Sequence, residues 1–249
     1  MIQQLFTIEQ EAHALARFDR VETIGFDYGQ RHAIELTRRP IVRDAIAAIV
    51  AERGGQFEPR IGTTDEENIG VISTIGNSTS VLYPDAFTDW EEVSKQQSTR
   101  LNTTVFSFHI HDGDLWMFVA YRNGNEVAWF NPIPDYWEEV SVADFAKWSG
   151  DAGKVASLVP GVNPASIERY FCTWDDDNTT VEEKAYDDDE FPIGIDWQLT
   201  DFMRRLGFTY PIDDVGQPIG DTFYLNARRR RTQAPPVSNA PSPTVATVV

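Results

Sequence analysis

Cysteine, lysine, histidine and long apolar runs are all scarce in this chain. A single cysteine, Cys172, stands among 249 residues. One thiol cannot form an intrachain disulfide. That excludes a disulfide-stapled fold and makes a reducing cytoplasm the expected compartment. The longest apolar run, residues 45–51, is far too short to cross a bilayer. The first residues, Met1-Ile2-Gln3-Gln4-Leu5-Phe6, carry no basic stretch and no long apolar segment, so no signal peptide is expected. Lysine occurs four times against 17 arginines. Few lysines beside many acids is a salt-adapted surface pattern, and genome composition produces it equally well. The formal charge is −18, from 39 acidic and 21 basic side chains. Net charge of that sign excludes nucleic-acid or anionic-membrane binding driven by overall charge.

Several catalytic signatures are also missing. There is no run of three spaced glycines for a dinucleotide and no paired-cysteine zinc motif. A zinc-protease helix and a serine elbow are absent too. Gly150-Asp151-Ala152-Gly153-Lys154 has the wrong spacing for a phosphate loop, and no Ser or Thr follows the lysine. Asp175-Asp176-Asp177-Asn178-Thr179-Thr180 starts like a calcium loop. Its sixth position is Thr180 instead of glycine, and its twelfth is Tyr186 instead of glutamate. Cys172 follows Tyr170 and Phe171 and reads as a buried structural thiol.

What is present is a chain rich enough in apolar residues to fold. Hydrophobic residues make up 41% and aromatics 12%. A chain this long hides roughly 70–75% of its unfolded surface. The pattern predicts a helix over 9–18, strands over 21–27 and 32–36, a helix over 40–53, a loop over 62–70, a strand over 80–83 and a helix over 90–101. Pro40 suits a first helical turn, Gly54-Gly55 stops that helix, and Asp89 is a candidate N-cap for the next. Helices are expected over 141–148, 152–158, 164–173 and 197–206. Two turn dipeptides, Asp112-Gly113 and Asn123-Gly124, separate three alternating runs between 105 and 131. Both are strong hairpin signals, because the central residues of a type I′ turn need positive φ. They predict a three-stranded antiparallel meander.

Two-residue turns would set His111 opposite Asp114, His109 opposite Trp116, Phe108 opposite Met117 and Phe118 opposite Trp129. One face would then carry Phe106, Phe108, Ile110, Leu115, Met117, Val119, Tyr121, Ala128 and Phe130. It would be the core face, under helices 40–53 and 141–158. The other would carry Ser107, His109, His111, Asp114, Trp116, Phe118 and Trp129, which mixes aromatic and polar groups. The fold class expected is α+β, an antiparallel sheet built on the 105–131 meander and packed by several helices, mainly on one face. One compact domain is expected over 1–227. The four arginines from Arg228 and the Pro/Ser-rich remainder read as a disordered tail over 228–249.

The acidity is uneven. Residues 175–201 hold eleven acids and one base, Lys184, whereas residues 1–60 hold nine acids and eight bases. Local acidity without a complete catalytic set leads to the expectation of a non-enzymatic cytoplasmic interaction protein, similar in kind to an immunity protein, an inhibitor or an adaptor. It would dock a basic partner through Asp175, Asp176, Asp177, Asp187, Asp188, Asp189 and the aromatic residues Trp116 and Trp129. The alternative is a metal-dependent hydrolase. His109 and His111 point the same way, roughly 7 Å apart by strand rise. With Asp114 they are the residue types of a three-ligand metal site that activates water. No cofactor is expected outside that alternative, where a divalent metal would sit on His109, His111 and Asp114. Neither nucleic acid nor membrane is an expected partner.

Overall fold

A computed structural model of the chain describes residues 4–10, 41–60, 69–76, 78–84, 87, 89–111, 113–174 and 183–226. The expected helix over 9–18, the strands over 21–36, Asp175–Asp177 and the tail over 228–249 lie wholly or largely outside these residues.

The fold is α+β. Among the described residues, eight strands form one antiparallel sheet: β1 (Gln4–Gln10), β2 (Gln56–Arg60), β3 (Ile69–Ile75), β4 (Ser78–Tyr83), β5 (Thr104–His111), β6 (Leu115–Arg122), β7 (Asn125–Phe130) and β8 (Asp221–Asn226). Their order is β2-β8-β3-β4-β1-β5-β6-β7. The helices are α1 (41–52), α2 (Trp90–Arg100), α3 (Val142–Trp148), α4 (Ala152–Leu158) and α5 (Gln198–Arg205). Two 3₁₀ turns, Pro164–Ser166 and Glu168–Tyr170, stand where a longer helix was expected. None of the described helices is long and apolar enough to cross a membrane.

Four strands depart from the sequence expectation. Residues 4–10 are a central strand, paired to β4 on one side and β5 on the other. β2 and β8 had no expected counterpart and pair with each other at one end of the sheet. β3 is buried along six of its seven residues. A strand covered on both faces has no polar alternation to reveal it.

The helices cover both faces. On one, α1 and α2 pack Val42, Ile46, Ile49, Val50 and Val93 against Ile72, Val81, Tyr83, Phe223 and Leu225. The expected stop of α1 is confirmed. Gly54 adopts φ 78°, and Gly55 N–H donates to the Val50 carbonyl at 2.9 Å. Asp89 precedes α2 but makes no side-chain cap. Its carboxylate accepts from Arg53 at 2.5 Å and so ties α2 to the end of α1.

The meander forms, with one change that reorganises it. Asn123 and Gly124 have φ 52° and 76°, the positive values that the Asn-Gly dipeptide predicts. The first turn differs. Asp114 N–H donates to the His111 carbonyl at 2.8 Å, and Leu115 rather than Asp114 faces His111. The extra residue shifts the register by one, so every later side chain of β6 changes face. His109 faces Met117, and Phe108 faces Phe118. A second irregularity between Ala120 and Tyr121 sets Phe118 opposite Phe130 and Val119 opposite Trp129.

The core face is therefore Phe106, Phe108, Ile110, Trp116, Phe118, Ala120, Ala128 and Phe130. It is covered by residues of α4, the 3₁₀ turns and α5: Val155, Ile167, Tyr170, Leu199, Phe202 and Met203. Helix α1 lies on the opposite face, and α3 buries no residue. Phe202 is the centre of this layer. Its ring lies 5.2 Å from Trp116, 5.3 Å from Tyr170, 5.7 Å from Phe118 and Phe171, and 6.2 Å from Phe108. Truncating it leaves a cavity bordered by five rings. Phe202→Ala is expected to lower unfolding stability by about 3–5 kcal/mol, read as a fall in urea midpoint.

Candidate functional site

The register shift decides what surrounds the two histidines. His109 and His111 remain on one face of β5, with ring centres 5.6 Å apart and planes at 82°. The face they share on β6 now holds Met117, Val119 and Tyr121 in place of Trp116 and Phe118. Three aromatic side chains from outside the meander close around the pair. Trp90, at the start of α2, lies 5.4 Å from His109. Tyr136 and Trp137, in the loop after β7, lie 5.4 and 5.0 Å from His111 and 5.1 Å from each other. Trp137 is 52% exposed and Tyr136 37%, so the outer wall of this cluster faces solvent.

Asp114 completes the arrangement. Left out of the ladder by the turn, its carboxylate accepts from the Tyr136 hydroxyl at 2.5 Å. A phenol donating to a carboxylate is a charge-assisted bond and holds both groups in place. Asp196, just before α5, lies close enough to feel Asp114. Desolvation, and then the Asp114 charge, push its carboxyl above the ordinary range. Two imidazoles, a phenol and two carboxylates can bind donor-rich ligands and move protons. Among the described residues no group of three or more His, Cys, Asp or Glu side chains has the arrangement of a metal site. His109 and His111 are in ring contact, His111 meets Tyr136, and Tyr136 in turn donates to Asp114.

The expected docking residues separate. Trp116 is fully buried, with its indole N–H donating to Gln198 at 3.4 Å. It offers nothing to a partner, because the register shift turns it inward. Trp129 stays half-buried on the other face, with the Lys147 and Lys154 ammoniums near its ring. Asp187 and Asp188 are exposed, but the Asp189 side chain is completely buried. One Asp189 oxygen accepts from the Tyr170 hydroxyl at 2.7 Å and Arg205 at 2.8 Å, and the other from Tyr186 N–H at 2.9 Å. Asp188 also pairs with Arg205. Hydrogen bonds from Arg205 hold the Asp188 carboxyl below the ordinary range. Asp201 accepts from Glu190 and Phe191 N–H at 2.9 and 2.8 Å and from Arg204 at 2.9 Å. Much of the acidity at 187–201 is thus spent inside the fold.

Sequence reasoning missed Trp90, Tyr136, Trp137 and Asp196. The Tyr136-Trp137 pair after Pro132 and Pro134 was the one available signal, an aromatic pair in a segment that cannot be strand. Nothing in the spacing brings residue 196 to residue 114.

No protein-family model matches the chain, and no solved structure matches it. Curated relatives do. The chain is 51% identical over 65 residues to a 7-cyano-7-deazaguanine synthase of Hyphomonas neptunium, covering 26% of each chain. It is 66% identical over 67 residues to one of Gluconacetobacter diazotrophicus, covering 27% of this chain and 26% of that protein. The likeness to one of Herminiimonas arsenicoxydans is 36% over 116 residues, 47% of this chain and 45% of that protein. The chain thus spans between a quarter and a half of the length of these relatives. Their name is that of an enzyme. It overturns the expectation of a non-enzymatic interaction protein, and with it the basic partner that the acidic surface was expected to dock.

Two measurements follow from the geometry. Asp189→Ala leaves Arg205 and Tyr170 without their buried acceptor and is expected to cost about 3 kcal/mol. Asp188→Ala, at the exposed end of the same network, should move the urea midpoint far less. Asp196→Asn should act in the opposite direction. Folding raises this pKa, so ionisation works against the folded state. That penalty is complete at neutral pH and gone below the ordinary carboxylate value. The variant should unfold at higher urea than the parent at pH 7 and at the same urea near pH 3.

Proposed function

We propose that this chain is a cytoplasmic enzyme that acts on a planar nitrogen heterocycle, held against the Trp90–His109–His111–Tyr136–Trp137 cluster. The observation that carries the reading is the shared sequence with proteins named 7-cyano-7-deazaguanine synthase. The geometry supports it in three ways. Trp137, half-exposed at the outer wall, offers a ring face for stacking. Asp114 is an acceptor set at the edge of that wall, and the ring N–H and amino donors of a deazaguanine would suit it. His111, in contact with both Tyr136 and Trp137, stands where an imidazole could pass a proton to a ring nitrogen or its substituent.

In this arrangement Trp137 and Tyr136 bind and exclude water, Asp114 orients, and His111 transfers the proton. Calorimetric titration of the full chain with 7-cyano-7-deazaguanine tests the reading. Saturable binding is expected, weakened tenfold or more by Trp137→Ala and by Asp114→Asn, which corresponds to about 1.4 kcal/mol for each. Absence of saturable binding to the parent chain, or unchanged affinity in both variants, would overturn it.

A further inference from the structure

A second cluster lies at the β7 edge of the sheet, built around Trp129. Two of the four lysines in this acidic chain converge on its indole from different helices. The Lys147 ammonium, near the end of α3, is 4.6 Å from the ring centre. The Lys154 ammonium, on α4, is 4.8 Å away. Lys147 also lies 5.7 Å from the Trp148 ring. Glu126 links the indole to one of the two ammoniums. It accepts from the Trp129 indole N–H at 2.8 Å and pairs with Lys147 at 3.6 Å. Its charge offsets one ammonium. Lys154 is in no ion pair among the described residues.

Two like charges gathered on one ring repel each other, and cation–π attraction to a partly exposed indole is modest. Among the described residues the arrangement therefore gathers two ammoniums beside one paired carboxylate, on a strongly negative protein. Ammonium groups serve as point charges for oxyanions. An anion that reaches the Lys147 and Lys154 ammoniums would offset their mutual repulsion, with the indole they share beside it.

We propose that Trp129, Lys147 and Lys154 form a binding site for a small oxyanionic group, a phosphate or a carboxylate. The site is independent of the heterocycle reading and uses none of its residues.

The test follows the Trp129 indole N–H by NMR in the full chain, with the resonance assigned through Trp129→Phe. Inorganic phosphate, acetate and chloride are titrated in turn at constant ionic strength. The Trp129 signal is expected to move saturably with phosphate or acetate, at millimolar half-saturation, and not with chloride. Whichever of the two saturates at lower concentration identifies the group. Lys154→Ala should weaken that binding at least tenfold, while Lys95→Ala, on α2, leaves it unchanged. An unaltered signal, an equal response to chloride, or binding that survives Lys154→Ala would overturn the proposal. A folded Lys154→Ala protein is confirmed by the unchanged shifts of the other indoles.

Discussion

One residue left out of a ladder controls both layers of this molecule. Asp114 closes the β5–β6 turn without pairing, so β6 enters the sheet one position later than a two-residue hairpin would allow. With period-two strands, one position exchanges the faces. Trp116 and Phe118 turn toward Phe202, while Met117, Val119 and Tyr121 turn toward the histidines. Without that residue, Trp116 and Phe118 would face α2, and Phe202 would lose two of its five ring neighbours. The same residue then supplies the carboxylate that holds Tyr136. What β6 gives to the core and to the candidate site is set by a single local event.

The C-terminal layer is secured by a different kind of bond. Apolar packing places Phe202 and Met203, and the next turn of α5 carries Arg204 and Arg205 into the acidic segment. Asp189 is buried there with its phenol, guanidinium and backbone donors all in place. A buried carboxylate is costly unless so satisfied, and one that is satisfied fixes a single arrangement of its neighbours. Arg205 also stacks over Tyr186 at 4.2 Å. The loop from 183 to 191 is thereby drawn onto α5, although it is too polar to form a core of its own.

Much of this was legible in the sequence, and the failures have physical causes. The meander, the Asn123-Gly124 turn, the end of α1 at Gly54-Gly55 and the positions of α2 through α5 follow from local turn and helix chemistry. β3 escaped because a strand covered on both faces shows no alternation. The face of β6 escaped because Asp112-Gly113 signals a turn without specifying whether Asp114 joins the ladder. The histidine pair was visible, since both lie on a strand whose own faces were read correctly. Its aromatic neighbours were not, because Trp90 and Trp137 reach it through tertiary contacts that no sequence period encodes.

Contacts inside the fold redistribute the charge that this chain shows to solvent. Eleven acids between 175 and 201 look like one negative surface when counted. Counting treats Asp187, Asp189 and Asp201 as equals, yet the first is exposed and the other two are buried and hydrogen-bonded. A buried, paired carboxylate exerts little field outside the protein, since its guanidinium partner cancels it at short range. The same logic works in reverse for the lysines. Four ammoniums in such a chain count for little in the total, but two of them lie 4.6 and 4.8 Å from one indole centre, where the sum gives no hint of them. What a charged protein presents to a ligand is therefore decided by pairing, residue by residue, and not by the sum.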